Sequence, residues 1–397
     1  MITQLAENVF WAGIVDWAIR RFHGRELSTH RGTTYNSYLI LDEKKVLVDT
    51  VWEPFAQEWL DSFRQVIDPA KIDVVVANHS EPDHSGALPL LMQACPNAAV
   101  IVSKRGAESI PGHYHRKWNL KAVGTGERLP IGRRELVFIE APMLHWPDSM
   151  FTYLAPDGIL MPNDAFGQHY AAPFRFNDQA DQEELYEEAL KYYVNILTPF
   201  STQVARKIDE LLALNLPVTA IAPSHGVIWR KDPLQIVRHY QEWAAQKPQR
   251  RAAILYDTMW QATRRMAEAV GDGLAAEGVP YKVVHAAVTD RNDALVEVFR
   301  AKAVIVGSPT LNNGLLPSIM PLLEDLKGLR FKNKVGAAFG SYGWSGEGVK
   351  LIEQHLAACR MPPAAPGVLA KWQPTADDLE KCRALGRAVA AAVLKNG

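Results

Sequence analysis

The stretch VVVANHSEPDHSGALPLL, residues 74–91, decides how the N-terminal half of this chain is read. Residues 74–77 are a short, apolar, β-branched run, the mark of a buried strand. Gly86 and the apolar residues 87–92 read as the end of a loop and the start of a helix. Between them stand His79, Glu81, Asp83 and His84, four polar side chains within six residues. They are expected in a loop at the C-terminal end of a strand, where α/β folds place their chemistry. A solvent-facing loop also carries His, Glu and Asp, but four of them packed between two apolar segments makes that the weaker reading.

The same arrangement recurs further along. FIEAPMLHWPDS sets His145 just past an expected strand at 136–140. GILMPNDAFG sets Asp164 just past one at 159–161, and VTAIAPSHGVIW sets His225 just past one at 218–222. Each side chain follows an apolar run by a few residues, so all can point to one rim of a sheet. His79, Glu81, Asp83, His84, His145, Asp164 and His225 make seven groups, about what two metal ions need when one carboxylate bridges them. Imidazole and carboxylate without thiolate suit iron, zinc or manganese. Two divalent ions against three carboxylates leave a near balance of charge with room for a bridging hydroxide or oxo group, which favours iron.

The pattern H-x-E-x-D-H at 79–84, with the later His145, Asp164 and His225, resembles the flavodiiron proteins, also called A-type flavoproteins. The resemblance spans essentially the whole chain and is closest in kind to the rubredoxin:oxygen oxidoreductase branch. It implies a metallo-β-lactamase-like first domain. Hydrolases of that fold use H-x-H-x-D-H, and Glu81 stands where they have the second histidine. The resemblance further implies that His79, Glu81 and His145 hold one iron, that Asp83, His84 and His225 hold the other, and that Asp164 bridges. His23, in RRFHGRELS, matches a family position lining the substrate pocket. His169, in FGQHYA, follows Asp164 closely enough to overhang the irons. Trp146 and Pro147 are expected to shape the site rather than react.

Bulk properties narrow the classes. The chain has 397 residues, enough for two or three domains, and 43 basic against 44 acidic residues, for a formal charge of −1. Such a balance gives no strong attraction to nucleic acid or membrane. No apolar run reaches bilayer-spanning length, and the N-terminus lacks the basic start of an export signal, so a cytoplasmic location is expected. The three cysteines, Cys95, Cys359 and Cys382, form no C-x-x-C pair. That excludes a disulfide framework and an all-cysteine metal site.

Up to about residue 245 the expected strands are short and separated by loops and turns: 38–41, 45–49, 72–77, 99–103, 136–140, 150–154, 159–162 and 218–222. Helices are expected at 54–64 and 181–193. Two sheets between helices, an αββα sandwich, fit this better than one doubly wound sheet. The polar segment 247–251, which contains a proline, suggests a boundary, with a diiron domain over 1–248 and a second domain over 249–397. After it the rhythm is regular: strand 252–256, helix 263–277, strands 282–285 and 303–307, helix 317–326, strand 334–339, helix 348–358 and a last helix at 376–394. This is a βαβ pattern, expected for a doubly wound parallel sheet.

Three loops at strand ends of this second domain form a candidate cofactor crevice. YDTMWQAT offers Thr258, Met259, Trp260, Gln261, Ala262 and Thr263, where hydroxyls and backbone amides at a helix start can cradle a phosphate. GSPTLNNG offers Pro309, Thr310, Leu311, Asn312, Asn313 and Gly314. FGSYGWSGEG offers Ser341, Tyr342, Gly343, Trp344, Ser345 and Gly346, with Trp344 as a stacking face. No G-x-G-x-x-G and no Walker loop is present, which points to a mononucleotide with one phosphate. The spacing resembles flavodoxin, and FMN is the implied ligand. Ala262 departs from the serine that relatives often carry, at a modest expected cost in FMN binding.

Together the two sites imply an FMN- and diiron-dependent oxidoreductase. It would reduce O2 to water with electrons from rubredoxin or a flavoreductase, and could also reduce NO to N2O. Two alternatives stand beside it: a dedicated nitric oxide reductase, and a zinc hydrolase of the metallo-β-lactamase fold. A pure electron-transfer flavoprotein with a structural metal fits poorly, because structural sites close with four ligands and are rarely paired. A free-standing chain looks more like the oxygen reductases, so O2 is expected to be the main substrate. A head-to-tail homodimer is implied by the resemblance, and a dimer of dimers is compatible with it.

Overall fold

The computed structural model describes residues 2–395, which form two compact units. Within the described residues, one comprises 2–193 and 200–244, the other 194–199 and 245–395.

The first unit is built on two sheets. In the larger, the order is Thr3–Ala6, Val9–Trp11, Tyr38–Leu41, Lys45–Val48, Val74–Ala77, Ala99–Ser103 and Leu120–Val123. Val74–Ala77 lies inside this sheet, parallel to both Lys45–Val48 and Ala99–Ser103. All four of its residues are buried, because a strand with neighbours on both edges and packing on both faces has no side open to water. The second sheet runs Arg128–Pro130, Glu135–Glu140, Met150–Ala155, Ile159–Met161 and Ala220–Ile221. One core joins the two: Val46, Val48, Val74, Val76 and Ile101 from the first meet Leu136, Phe138, Met150, Leu154 and Met161 from the second. Val74 and Val76 share a face because side chains alternate along a strand.

Several elements depart from the sequence expectation. Residues 82–85, expected in a loop, form one helical turn, Pro82–Ser85. Pro82 presets the helical φ at the first position, where its missing N–H costs nothing. Residues 249–251, read as boundary segment, already belong to the strand Gln249–Tyr256. The strand Leu120–Val123 was not anticipated, because it is an edge strand with only its last residue buried. The helix Gly106–Tyr114 contains Pro111 and Gly112, poor helix formers that hide it. The helices Ser201–Ala213, Gln235–Ala244 and Arg291–Arg300 and the edge strand Val368–Lys371 were likewise unanticipated.

The second unit is a five-stranded sheet, parallel throughout, in the order Tyr281–His285, Gln249–Tyr256, Ala301–Gly307, Val335–Tyr342 and Val368–Lys371. The chain steps one way from its first strand and then back past it. This puts a topological switch point beside the C-terminal end of Gln249–Tyr256, where such sheets bind ligands. Helices Ala262–Ala276 and Ala376–Leu394 pack with their backbones close: a Cβ on Gly273 would lie 2.1 Å from Arg383 O, and one on Gly386 2.2 Å from Val270 O.

Phe138 is 1% exposed between the two sheets. Phe138→Ala should cost the first unit about 3–5 kcal/mol. Denaturant unfolding followed by far-UV circular dichroism should show that loss, while release of cofactor from the second unit keeps its midpoint.

Candidate functional site

The ends of several first-unit strands deliver the polar side chains to one place. His79 and Glu81 follow Val74–Ala77, His145 lies beyond Glu135–Glu140, Asp164 beyond Ile159–Met161, and His225 beyond Ala220–Ile221. Two donor sets result: His79, Glu81, His145 and Asp164, and next to it Asp83, His84 and His225. In the first, Glu81 Oε2 lies 3.2 Å from His79 Nε2 and 3.1 Å from His145 Nε2. In the second, Asp83 Oδ2 lies 3.2 Å from His84 Nε2 and 3.1 Å from His225 Nε2. Asp164 touches both. Its Oδ2 is 3.7 Å from His79 Nε2 and 3.6 Å from His145 Nε2, while its Oδ1 is 3.0 Å from His84 Nε2 and 3.5 Å from His225 Nε2.

Donors each roughly 2 Å from one ion lie about 3–3.5 Å from one another, which is the spacing seen. The burial adds a second test. Both Asp83 carboxylate oxygens, both His84 ring nitrogens and Asp164 Oδ2 are buried and have no hydrogen-bond partner. Buried polar atoms are otherwise paired, so these are aimed at something other than hydrogen-bond partners. The residues fit a pair of metal ions.

The surroundings hold the donors in place. His79 Nδ1 lies 3.2 Å from Asp148 Oδ1, and Asp148 Oδ2 accepts the Ser80 N–H at 2.8 Å. His225 Nδ1 donates to Thr34 O at 2.6 Å. Tyr192 Oη donates to Asp164 Oδ1 at 2.9 Å. Asp49, buried, accepts from Asn78 N at 2.8 Å and from Asn163 Nδ2 at 3.2 Å, which ties the loops of His79 and Asp164 together. Gly226 has a φ of +77°, and a Cβ there would lie 1.6 Å from Gln168 Oε1. A side chain at that position would therefore disturb the His225 turn.

Electrostatics follow from this crowding. Burial pushes the Glu81 carboxyl up, but hydrogen bonds from His145, His23 and His79 outweigh it and hold the group far below the usual carboxylate range. Burial also opposes ionisation of Asp164, and His84 overrides it. His84 is lowered by burial and raised more by Asp164 and Asp83, ending at about 9. The cavity thus keeps Glu81 and Asp164 ionised and draws in positive charge, as a cation site must.

His23 and His169 flank the set. His23 Nε2 is 2.9 Å from Glu81 Oε1, and its side chain is one-third exposed. His169 is buried; its Nδ1 meets Thr33 Oγ1 at 2.9 Å and its Nε2 has no partner. Burial, then the His225 and His23 charges, holds His169 well below the ordinary histidine value, so it is neutral. Phe22 packs against both, 4.5 Å from the His23 ring and 4.7 Å from that of His169, tilted by 46° and 47°. Trp146 is half-buried with its ring edge-on to His79 at 4.9 Å, and Pro147 is exposed. The supporting residues Asp49, Asp148, Tyr192 and Thr34 were not singled out from sequence. Asp148, at the end of HWPDS, carried the one available signal: a carboxylate three residues from a candidate ligand.

In the second unit a crevice of about 500 Å³ opens at the sheet's C-terminal edge. Met259, Trp260 and Ala262 come from the first predicted loop, Pro309, Thr310, Leu311 and Asn312 from the second, and Ser341, Tyr342, Gly343 and Trp344 from the third. Trp372 and Gln373, from beyond the strand Val368–Lys371, complete it and were missed, since that short strand was not anticipated. Trp260, Trp344 and Trp372 are 86%, 94% and 67% exposed, faces for a flat aromatic ligand. Thr258, Gln261, Thr263, Asn313, Gly314, Ser345 and Gly346 do not line the crevice directly. Gln261 caps the helix Ala262–Ala276 with a φ of +64° and no side-chain cap hydrogen bond, leaving amides for an anion. Thr263 Oγ1 lies 3.1 Å from Ser341 Oγ, which joins the first loop to the third.

Comparison with known proteins agrees. The ODP family beta lactamase model matches residues 33–226, and the flavodoxin model residues 254–386. The structure superimposes on rubredoxin oxygen:oxidoreductase from Desulfovibrio gigas with a TM-score of 0.97, at 39% identity over 99% of this chain and 98% of that one. The flavodiiron protein of Giardia intestinalis gives 0.94 at 34%, over 99% and 97%. The chain belongs to the flavodiiron protein family. A nitric oxide reductase of Moorella thermoacetica is 51% identical over 391 residues, 98% of each chain. An anaerobic nitric oxide reductase flavorubredoxin of Klebsiella pneumoniae is 49% identical over 394 residues, 98% of this chain and 82% of its own. As a flavodiiron protein this is an oxidoreductase, with a metallo-β-lactamase-like unit bearing a diiron-type donor cluster and a flavodoxin-like unit for FMN. Among the described residues no helix is long and apolar enough to cross a membrane.

Two substitutions separate the sites. Asp148→Asn should weaken iron binding by about 10–100-fold, because the Asp148 carboxylate orients the His79 imidazole it bonds. Elemental analysis after dialysis against a chelator measures this, and FMN content should not change. Trp344→Ala should remove about 0.5–1.5 kcal/mol of stacking, seen as weaker FMN binding in a fluorescence titration of the apoprotein, with iron content unchanged.

Proposed function

We propose that this flavodiiron protein reduces O2 to water, and NO to N2O, at a two-iron centre fed by FMN. His79, Glu81 and His145 would hold one iron and Asp83, His84 and His225 the other, with Asp164 between them. The observation that supports this most directly is the Asp164 carboxylate, with one oxygen facing each donor set. The three loops carrying Thr258–Thr263, Pro309–Gly314 and Ser341–Gly346 hold FMN, and residues 1–248 and 249–397 divide the iron and flavin chemistry. Iron bound there would supply binding of a diatomic gas and two stored electrons, and FMN would supply two more.

The chain's own side chains do the rest. Asp164 sets the spacing of the two donor sets, and the Tyr192 hydroxyl fixes the orientation of that carboxylate. Phe22 shields the pocket from bulk water. His23, part exposed and bonded to Glu81, takes up protons at its solvent edge and holds one at Nε2. Neutral His169, with its Nε2 unpartnered, orients a polar group of the bound gas or its product. Four electrons and four protons take O2 to two waters; two of each take two NO molecules to N2O and one water.

O2 is proposed as the preferred gas, from the likeness to the Desulfovibrio gigas oxidoreductase over nearly the whole of both chains. A second reading, a dedicated nitric oxide reductase, is favoured by the Moorella thermoacetica relative, which bears that name and is matched over 98% of its length. Length therefore does not discriminate between the two. Electrons come from a rubredoxin-type protein or a flavoreductase, and the working form is a head-to-tail homodimer, alone or paired into a dimer of dimers, in the cytoplasm.

Steady-state turnover with each gas, using one reduced donor under strict anaerobiosis before gas addition, tests the ranking. O2 turnover at or above NO turnover is expected, with no peroxide released. NO turnover tenfold the faster, about 1.4 kcal/mol in barrier, would establish the second reading. His145→Asn should abolish both activities and leave FMN bound.

A further inference from the structure

Oxidisable side chains lead from the donor set to the surface of the first unit, joined by the chain itself between Tyr192 and Tyr193 and by ring contacts beyond. They start at Tyr192, whose hydroxyl donates to Asp164 Oδ1 at 2.9 Å. Tyr193, next in the chain, has its ring 5.0 Å from that of Tyr240 and 5.4 Å from that of Trp243. Tyr240 and Trp243 are 5.4 Å apart. Tyr240 is also anchored to the site, since its Oη accepts the N–H of Phe166, two residues past Asp164, at 2.9 Å. Trp243 then meets Tyr186 at 5.7 Å, and stacks on His239 at 5.7 Å with an interplanar angle of 14°. Tyr192, Tyr193, Tyr240 and Trp243 are all buried, whereas Tyr186 and His239 are half-buried at the exit.

Filling a core does not call for this composition. Phe and Leu pack without polar atoms, and a buried tyrosine is tolerated only where its hydroxyl finds a partner. Here each buried phenol has one: Asp164 for Tyr192, Ser201 Oγ at 3.0 Å for Tyr193, and the Phe166 amide for Tyr240. Tyrosine and tryptophan are among the few side chains that give up an electron reversibly, but only to a strong oxidant. Their potentials lie far above those of a flavin, so the run cannot carry electrons in from the donor; it can only let oxidising equivalents out.

We propose that Tyr192, Tyr193, Tyr240 and Trp243 conduct oxidising equivalents from the metal centre to the surface at Tyr186 and His239 when donor electrons run short. This rests on the O2-reducing reading, which supplies the oxidant: a centre that has begun to reduce O2 without enough electrons to finish. Tyr192 gives it one electron, and the phenolic proton is held in the existing hydrogen bond to Asp164 Oδ1, which stays a carboxylate, until an electron returns. Trp243 returns an electron through the Tyr193 and Tyr240 rings, and Tyr192 recovers its proton. Trp243 or Tyr186 is left one electron short until a low-molecular-weight thiol in solution restores it. The thiol loses one electron and one proton and goes on to disulfide; the centre gains one electron.

The test uses iron-loaded, FMN-bound protein charged with fewer electrons than full O2 reduction requires, then exposed to O2 without thiol. Peptide mapping by mass spectrometry locates oxidised residues, and iron retention is measured over repeated cycles. Marks at Tyr186 and Trp243 are expected in the native protein. In Trp243→Phe and in Tyr193→Phe the Tyr186 mark should fall severalfold, marks should shift to Tyr192 and His169, and iron should be lost severalfold faster. Trp243→Tyr should restore the native pattern. With excess donor, turnover in Trp243→Phe should match the native protein, and equal melting temperatures establish that the variants fold. Marks unchanged in both variants, or confined to Trp146, which sits against His79 on another route, would overturn the relay. A parallel sample treated with hydrogen peroxide separates the two readings. If O2 is not consumed but peroxide still marks Tyr186 through Trp243, the O2 reading falls and the relay stands. If O2 is consumed and the marks ignore Trp243, the relay falls alone.

Discussion

The first unit turns on one carboxylate. Asp164 is buried with its Oδ2 facing His79 and His145 and its Oδ1 facing His84 and His225. Ionised carboxylates and histidines are costly to bury unless each charge is compensated. Here Glu81, Asp83 and Asp164 crowd into one cavity, and several of their atoms find no hydrogen-bond partner. Cations placed between the two sets would relieve that cost at every donor at once. The folding of this region and its affinity for metal are therefore coupled, as is usual where ligands converge from distant parts of a chain.

Holding such a constellation demands a rigid frame. The donors leave strand ends of both sheets, and a shared core of β-branched and aromatic residues locks those sheets face to face. Asp49 adds a polar clamp between the loops of His79 and Asp164, and burial raises its own pKa despite the nearby His84 charge. The partners of the ligands, Asp148 for His79 and the Thr34 carbonyl for His225, choose which ring nitrogen faces inward. A single turn of helix, Pro82–Ser85, starts at Glu81 and carries Asp83 and His84, so that neighbours in sequence serve different donor sets.

The flavodoxin-like unit solves a different problem. Its ligand is flat and anionic, and the crevice offers exposed tryptophan faces and an uncapped helix start in place of buried charge. That difference explains why the two sites were unequally legible. A phosphate cradle made of backbone amides leaves little trace in side-chain identity, so the loops were found by their place after strands and by their glycines. Trp372 and Gln373 follow a four-residue edge strand whose alternating burial is too short to stand out from its surroundings.

The sequence by itself picked out the candidate metal donors and the class of fold. His79, Glu81, Asp83, His84, His145, Asp164 and His225 each follow an apolar run that can only be a strand, and ligand chemistry restricts what such residues do together. The clean βαβ rhythm after residue 251 likewise left one sheet type open. Tertiary structure alone decided which Asp164 oxygen faces each donor set. It also decided that Asp148, Tyr192, Asp49 and Thr34 stand behind them, and that Tyr193, Tyr240 and Trp243 line up toward the surface. The reason is range. A strand or a ligand type is written in neighbouring residues, whereas a hydrogen bond between positions 79 and 148, or a ring contact between 193 and 243, exists only after two sheets and their helices have packed.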